Sequence, residues 1–420
     1  MTLPPIVSLG PRPSTEVLVE PVGPVESLAP RAASPGYSAA RAGLAGALLG
    51  YLLVVVLTIT LAPFDFHAPD PARWTLSEWT VLDLTANVLL FLPLGFLLRQ
   101  GGDPVVARRD RLALRAVVLG LVLSASIEAM QLGLPDRYAS PWDVLTNVAG
   151  AWLGALAYDR VHVRLDPAAV LGRLGLELPL MGLVYLLVPL GWLSAVAAPG
   201  EPARWWLLLC LGLFGASVLG AVQRRHFAPA GASSARGMAV AGGIGMVVAA
   251  LPALNARPLF VAGLAAVVAL FTWHRAAMAE GPGAERRFEL ATLVRAAPFF
   301  ATYLLLLPLV PPAADPMLQR TTILAVVEVV AAFTVLGFMT AEAWGRRELP
   351  FRQTVPVVTG IAAVAAAVVA SLRAGGPPTE AQMPETVAAL LAALYGGWLY
   401  HLQRERVREL LHGRRLARRA

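Results

Sequence analysis

From residue 42 almost to the C-terminus, apolar residues recur in runs of about the 20 residues that cross a lipid bilayer as a helix. Proline, glycine and charged residues occupy the breaks between these runs. This pattern predicts an all-α polytopic membrane protein with about twelve transmembrane helices. The predicted spans are 42–62, 81–98, 116–134, 144–159, 177–197, 205–222, 238–255, 258–274, 297–313, 322–343, 355–372 and 385–401.

Polar side chains within the spans are concentrated in the first four, toward one membrane surface. A charged or strongly polar residue inside a bilayer is costly and indicates function by default. The later spans carry few such residues, of which Glu328 lies deepest in its span. We therefore expect any ligand site in the first third of the chain, at a set of six residues: Asp83, Asn87, Glu128, Gln131, Asp143 and Asn147.

The spacing of these residues repeats. Asp83 and Asn87 are four residues apart in span 2, and Asp143 and Asn147 have the same spacing in span 4, so each pair shares one helix face. A tryptophan precedes each pair, and valine follows each asparagine. We infer that spans 1–2 and spans 3–4 are two copies of one helical hairpin, arranged as a parallel repeat.

Packing of the two hairpins is expected to close an outer-facing polar pocket. Glu128 and Gln131 share a face of span 3, and Arg137 in the following loop supplies a counter-charge for the acids or for a ligand phosphate or carboxylate. The alternative is that Asp143 and Asp83 only cap the starts of their helices.

Small residues and a proline predict local features of the same four spans. Gly150 and Gly154 allow close helix approach. Pro93 removes a backbone donor near Gly95, so a bend is expected there.

Composition excludes a soluble enzyme. Of the 420 residues, 57% are hydrophobic and 15% are charged, whereas a soluble domain carries about 25% charged residues. The single cysteine, Cys210, excludes a disulfide framework and a thiolate metal cluster. We expect no metal and no cofactor.

The distribution of arginine predicts the membrane orientation. All 34 basic residues are arginine, and the formal net charge is +7. With both termini placed in the cytoplasm, 28 arginines fall in the seven inside segments and six in the outside loops. Because the arginines flank membrane spans, we expect no nucleic-acid partner; the location indicated is a bacterial inner membrane.

Four regions follow from these patterns. Residues 1–36 are a Pro-rich stretch without apolar periodicity and are predicted to be a disordered cytoplasmic tail. Residues 37–165 form a four-helix membrane module, and 166–402 an eight-helix membrane region. Residues 403–420 are a basic cytoplasmic tail, expected to lie on anionic lipid.

Several short motifs in the module share an order and separation with a known family. They are Thr60-Leu-Ala-Pro63-Phe64, Asp83-x-x-x-Asn87, Leu90-Phe91-x-Pro93-x-Gly95-Phe96, Glu128-x-x-Gln131, Leu134-Pro135-x-Arg137, Ser140, Asp143-x-x-x-Asn147 and Gly150-x-x-x-Gly154. Over about residues 50–160 the chain resembles the VanZ-like family of bacterial membrane proteins, named for a member linked to teicoplanin resistance. The resemblance implies a four-span module acting at the cell envelope and assigns no catalytic residue.

Three functions remain open. The first is a non-enzymatic envelope protein whose outer pocket binds a lipid headgroup, a lipid-linked cell-wall precursor or a glycopeptide-like ligand; its oligomeric state is open. The second is an intramembrane enzyme acting on a lipid or glycan, with Glu128 or Asp143 as acid or base. The third is a secondary transporter using Glu328, suggested by the span count and by a likeness of Gly154 to Arg160 to the inner-loop signature of major-facilitator proteins.

Overall fold

A computed structural model describes most of the four-helix module and most of the last 130 or so residues of the chain. Residues 1–34, Pro63 and the predicted spans at 177–197 and 238–255 lie outside the described residues, as does most of the span at 258–274. The described residues are 35–61, 64–76, 81–101, 109–135, 137–164, parts of 206–217, 263, 267, 288–309, 322–345, 349–375 and 382–417.

The described regions are helical, with one isolated β-bridge and no named strand among them. This confirms the predicted all-α class. The helices are α1 (Pro35–Leu61), α2 (Val81–Gly101), α3 (Arg109–Gln131), α4 (Pro141–Arg164), α5 (Phe288–Leu306), α6 (Thr322–Gly345), α7 (Phe351–Ala374) and α8 (Met383–Ala417).

Five helical segments are long and apolar enough to cross a membrane. They support a multi-pass membrane protein, while the total of twelve spans stays a prediction. The segments within the described residues are Ala42–Leu61, Asp83–Gly101, Ala113–Gln131, Val326–Trp344 and Phe351–Ala374.

Helices α2 and α4 cross with their backbones in direct contact. A Cβ atom added to Gly95 would lie 1.7 Å from the carbonyl oxygen of Ala151, and one added to Gly154 would lie 1.9 Å from that of Leu92. At Gly150 the corresponding distance, to the carbonyl oxygen of Val88, is 2.3 Å. Only a hydrogen fits at these three positions, so glycine sets the separation of the two helices. Helix α2 continues on both sides of Pro93.

The C-terminal ends of α2 and α4 are held together by a buried ion pair. A guanidinium nitrogen of Arg99, which is 4% exposed, lies 2.8 Å from the Asp159 carboxylate. The same guanidinium lies over the Tyr158 ring, 5.7 Å from its centroid. Asp159, part of the transporter-like signature, therefore has a packing partner within the module.

Helix α8, the last of the described helices, packs along α1, the first. The Tyr395 hydroxyl donates a hydrogen bond to the Ala47 carbonyl, and Leu402 approaches Gly43. The helix runs without interruption to Ala417, so residues 403–417 of the predicted basic tail continue the last helix.

Candidate polar site at the loop end of the module

Two loops pair with each other at one end of the four-helix module, which we call the loop end. Residues 64–76 connect α1 to α2, and residues 132–140 connect α3 to α4. The Thr75 amide donates to the Ala139 carbonyl at 3.0 Å, and the Ala139 amide donates to the Arg73 carbonyl at 3.0 Å. Because backbone groups of both loops are satisfied by each other, the loop end is a fixed surface.

Phe64 begins the first loop in a backbone conformation unusual for a bulky residue. Its φ is 66°, in the left-handed region, where a side chain other than glycine costs about 1–3 kcal/mol. Its amide donates to the Leu61 carbonyl at 2.8 Å, and its ring meets Phe66 edge-on at 6.4 Å between centroids. The strained turn directs the chain out of α1 and across the loop end.

Ser140 caps helix α4. Its hydroxyl oxygen accepts a hydrogen bond from the Trp142 amide at 3.2 Å, and Pro141 occupies the first helical position, which tolerates proline well. The hypothesis that Asp143 serves as this cap is therefore not needed, and its carboxylate is available to a neighbouring helix.

Glu128 is buried where α3 meets the start of α4. It is 3% exposed, and its Oε2 accepts a hydrogen bond of 2.8 Å from the Ser140 amide. The same serine thus caps α4 and fixes the carboxylate of α3. The positive N-terminal end of the α4 dipole also stabilises a carboxylate at this position.

Asn87 and Asp143 join α2 to α4. Asn87 Nδ2 donates to Asp143 Oδ1 at 2.8 Å. Asp143 precedes the apolar stretch at 144–159, and burial raises the pKa of its carboxyl group. The nearby carboxylate of Asp83 raises that pKa further, while the hydrogen bond from Asn87 lowers it. The acids of α2 and α4 are thus close enough to repel each other.

Two buried amides each donate a hydrogen bond through nitrogen, while their oxygens accept none from the described residues. Asn147 Nδ2 donates to Ser124 Oγ at 2.9 Å, and Gln131 Nε2 donates to the Thr60 carbonyl at 3.0 Å. Asn147 Oδ1 and Gln131 Oε1 are buried and accept no hydrogen bond within the described part of the chain. Such oxygens favour a ligand or water that donates.

Arg137 is tied to the end of α1. Its guanidinium donates to the Ile59 carbonyl at 3.2 Å, one of the last carbonyls of that helix. A cation there complements the negative C-terminal end of the helix dipole. The predicted counter-charge therefore lies at the loop end, where it contacts α1.

The six polar residues and Arg137 all lie at the loop end, but most of their hydrogen bonds go to backbone groups or to Ser124 and not to one another. Asn87 and Asp143 are joined to each other directly. Ser124 was not predicted, although its position four residues before Glu128 on α3 places both on one helix face. The role of the Thr60 carbonyl has no side-chain signal in the sequence.

The arrangement offers hydrogen-bond acceptors more than donors. The described hydrogen bonds use the amide nitrogens of Asn87, Gln131 and Asn147, while the amide oxygens of Gln131 and Asn147 remain open. Within the described residues, no group of three or more histidine, cysteine, aspartate or glutamate side chains is arranged to hold a metal ion.

Comparison with known proteins gives one match. The family model described as VanZ/LLP1 matches residues 53–165, which comprise the last third of α1 and all of α2, α3 and α4. No curated protein and no solved structure matches the chain. The match covers the end of α1, the other three helices of the module and the polar loop end, but not the C-terminal helices. Residues 53–165 are thus a domain of the VanZ/LLP1 type, within a chain whose remainder matches no family.

Proposed function

We propose that the loop end of the VanZ/LLP1 domain binds the polar headgroup of a cell-envelope molecule. The candidates are a lipid headgroup, a lipid-linked cell-wall precursor and a glycopeptide-like ligand. The observation that carries the proposal is the pair of buried amide oxygens, Gln131 Oε1 and Asn147 Oδ1, which accept no hydrogen bond from the residues that the structure describes. A buried acceptor left unsatisfied costs about 1–3 kcal/mol, which a donating ligand would recover.

The charges at this end favour a ligand rich in hydroxyl or amino groups. Asp83, Glu128 and Asp143 are acceptors when ionised and repel an anion, whereas the Arg137 guanidinium donates one of its five N–H groups to the Ile59 carbonyl. A sugar hydroxyl or an ammonium group donates, whereas a bare phosphate needs donors from the protein. The glycan and amino groups of a wall precursor or glycopeptide meet this requirement.

The proposed orientation puts this site at the outer leaflet. The arginine distribution predicts that the loops at 64–76 and 132–140 face outward, because each carries a single arginine. Lipid-linked wall precursors are used on that side of a bacterial membrane, so a site here meets them at headgroup depth.

Binding is favoured over catalysis by the neighbours of the carboxylates. Glu128 Oε2 accepts from a backbone amide, and Asp143 accepts from Asn87, so both are engaged in structural hydrogen bonds. His67 lies in the exposed first loop, where its Nδ1 is 3.0 Å from the Asp65 carbonyl. Within the described residues of this end, no histidine is paired with a nucleophile.

The test replaces all three acids by their amides in the full chain: D83N, E128Q and D143N together. The amides retain an acceptor oxygen for Ser140 and for Asn87, so the fold is kept while the charge is removed. Binding of a lipid-linked disaccharide-peptide precursor and of teicoplanin is measured in lipid nanodiscs, alongside teicoplanin susceptibility of the expressing strain. E385Q, which changes an acid outside this domain, is the matched control.

We expect the triple variant to bind its ligand at least about tenfold more weakly, equivalent to about 1.4 kcal/mol. E385Q is expected to bind as the unmodified chain does. Equal binding of both probes, and equal susceptibility, in a triple variant that is expressed and folded would contradict the proposal.

A further inference from the structure

Three helices of the C-terminal region begin at a nearly constant separation along the sequence from three helices of the VanZ/LLP1 domain. Helix α3 begins at residue 109 and α7 at 351, a separation of 242 positions. Helix α4 begins at 141 and α8 at 383, again 242 positions apart. Helix α2 begins at 81 and α6 at 322, within one residue of the same separation. Each helix together with the connection that follows it therefore has the same length in both regions, to within one residue.

The close glycine contacts recur at the same separation. A Cβ on Gly154 would lie 1.9 Å from the Leu92 carbonyl oxygen, and a Cβ on Gly396 would lie 1.9 Å from the Thr334 carbonyl oxygen. The reciprocal contact of Gly95 with the Ala151 carbonyl recurs as that of Gly337 with the Ala393 carbonyl, at 1.7 Å and 1.9 Å. Two of the three close glycine contacts of the first crossing are thus matched 242 residues later, and alanine, Ala392, stands at the position of Gly150.

An aromatic pair below each crossing is repeated too. Phe96 and Tyr158 meet edge-on with ring centroids 5.3 Å apart, and Phe338 and Tyr400 meet edge-on at 5.7 Å. These residues are again separated by 242 positions. Two helix pairs with the same glycine contacts and the same ring contact share one packing register.

Burial follows the same register over the crossing. Five positions of α4 are buried, and so are the five equivalent positions of α8, which has further buried residues toward its C-terminal end. The buried sets are 147, 150, 151, 154 and 155 in α4 and 389, 392, 393, 396 and 397 in α8. The lipid-exposed Val122 and Leu145 correspond to the exposed Val364 and Val387.

The two sets of helices also run in the same direction. Ala45, near the start of α1, contacts Gly101 at the end of α2, so α1 and α2 are antiparallel. Gly43 faces Leu402 and Gly50 faces Tyr395, so α1 and α8 are antiparallel as well. Helices α2 and α8 are therefore parallel. Helix α4 is also parallel to α2, since Gly150 faces Val88 and Gly154 faces Leu92, so α8 and its equivalent α4 have the same direction, as in a parallel repeat.

We infer that residues 322–406 are a second copy of the α2–α4 part of the VanZ/LLP1 domain, which keeps the packing and has lost the polar site. The positions of Asn87, Glu128 and Asn147 are occupied by Val329, Ala370 and Ala389. The partner of Asn147, Ser124, corresponds to Ala366. Of the two copies, the first alone keeps the polar site within the described residues.

One charged pair remains in the second copy, at the equivalent end. Glu385 stands where Asp143 stands in the first copy, and Arg373 stands at the position of Gln131. They form an ion pair with each other. The acid is thus neutralised within the second copy, whose role is to pack against α1 through Tyr395 and Leu402.

The test compares distances within the two copies of the full chain. Spin labels are attached to cysteines in a Cys210→Ala background, at Val122→Cys with Leu145→Cys and, separately, at Val364→Cys with Val387→Cys. All four positions are exposed, so labelling disturbs no packing. A third pair, Val364→Cys with Leu391→Cys, shifts one label by about a turn of α8 and breaks the register.

Pulsed electron paramagnetic resonance is expected to give coinciding distance peaks for the first two pairs and a displaced peak for the third. A membrane-impermeant maleimide is expected to label Tyr138→Cys and Met383→Cys from the same side of the membrane. The inference is overturned if the first two pairs differ as much as the shifted pair does, or if the two single cysteines label from opposite sides.

Discussion

Ser140 determines the hydrogen-bond partners of two carboxylates at the loop end, those of Glu128 and Asp143. Ser140 caps α4 with its hydroxyl and holds Glu128 with its amide, so Asp143 is left to join α2 through Asn87. The list of polar residues was predictable, because polar groups in apolar spans are conspicuous. Their partners were not, since a backbone amide such as that of Ser140 has no signature in the sequence.

Removing the Glu128 carboxylate is expected to destabilise the domain. E128A leaves the buried Ser140 amide without an acceptor, at a cost of about 1–3 kcal/mol. E128Q keeps an oxygen at that position and is expected to lose less. Thermal unfolding of the full chain in detergent, followed by tryptophan fluorescence, measures both. Equal losses in the two variants would show that the hydrogen bond to Ser140 does not carry the effect.

The buried ion pair at the opposite end is expected to matter more than the exposed pair of the C-terminal region. D159A removes the carboxylate that lies beside the buried Arg99 guanidinium, which costs roughly 3–5 kcal/mol. E385Q breaks the partly exposed pair with Arg373, where the loss is expected to be below about 1 kcal/mol. The same unfolding measurement compares them. A smaller loss for D159A than for E385Q would contradict this assignment.

At the scale of helices, close backbone contact organises both crossings. The existence of most described helices followed from apolar run length, and Gly150 and Gly154 were predicted to allow close approach. Gly95 was predicted only as part of a motif and as the place of a bend. The register between α2 and α4 is visible only in the structure. The equivalent glycines at 337 and 396 stand among ordinary small residues, so nothing local separates them from glycines such as Gly360.

Alanine at the crossing glycines is expected to destabilise the protein. G154A and G396A place a Cβ within 1.9 Å of a carbonyl oxygen and force the helices apart, which costs about 1–3 kcal/mol. Gly46 and Gly360 have nothing within 4 Å of an added Cβ, so G46A and G360A are expected to be neutral or stabilising, by up to about 1 kcal/mol. Unfolding midpoints of the four variants check this. Controls that lose as much as G154A would contradict it.

At the scale of the whole molecule, the described residues combine one polar site with two copies of one helix packing. The sequence predicted a repeat within the first four spans, from the Asp-x-x-x-Asn spacing. The repeat at a separation of 242 positions has no such signal, because the second copy lacks those polar residues and shares only small and aromatic contacts with the first. Packing survives extensive apolar substitution if volume and pattern are kept, whereas a polar motif disappears with a few changes.

The central claim is that the loop end of the VanZ/LLP1 domain holds a ligand, one per chain. Native mass spectrometry of the full chain, released from its membrane in mild detergent, tests it most directly. The account predicts one bound lipid or precursor on the unmodified chain and on E385Q, and its loss in the D83N, E128Q and D143N combination. Retention of the same bound mass by that triple variant would contradict the account.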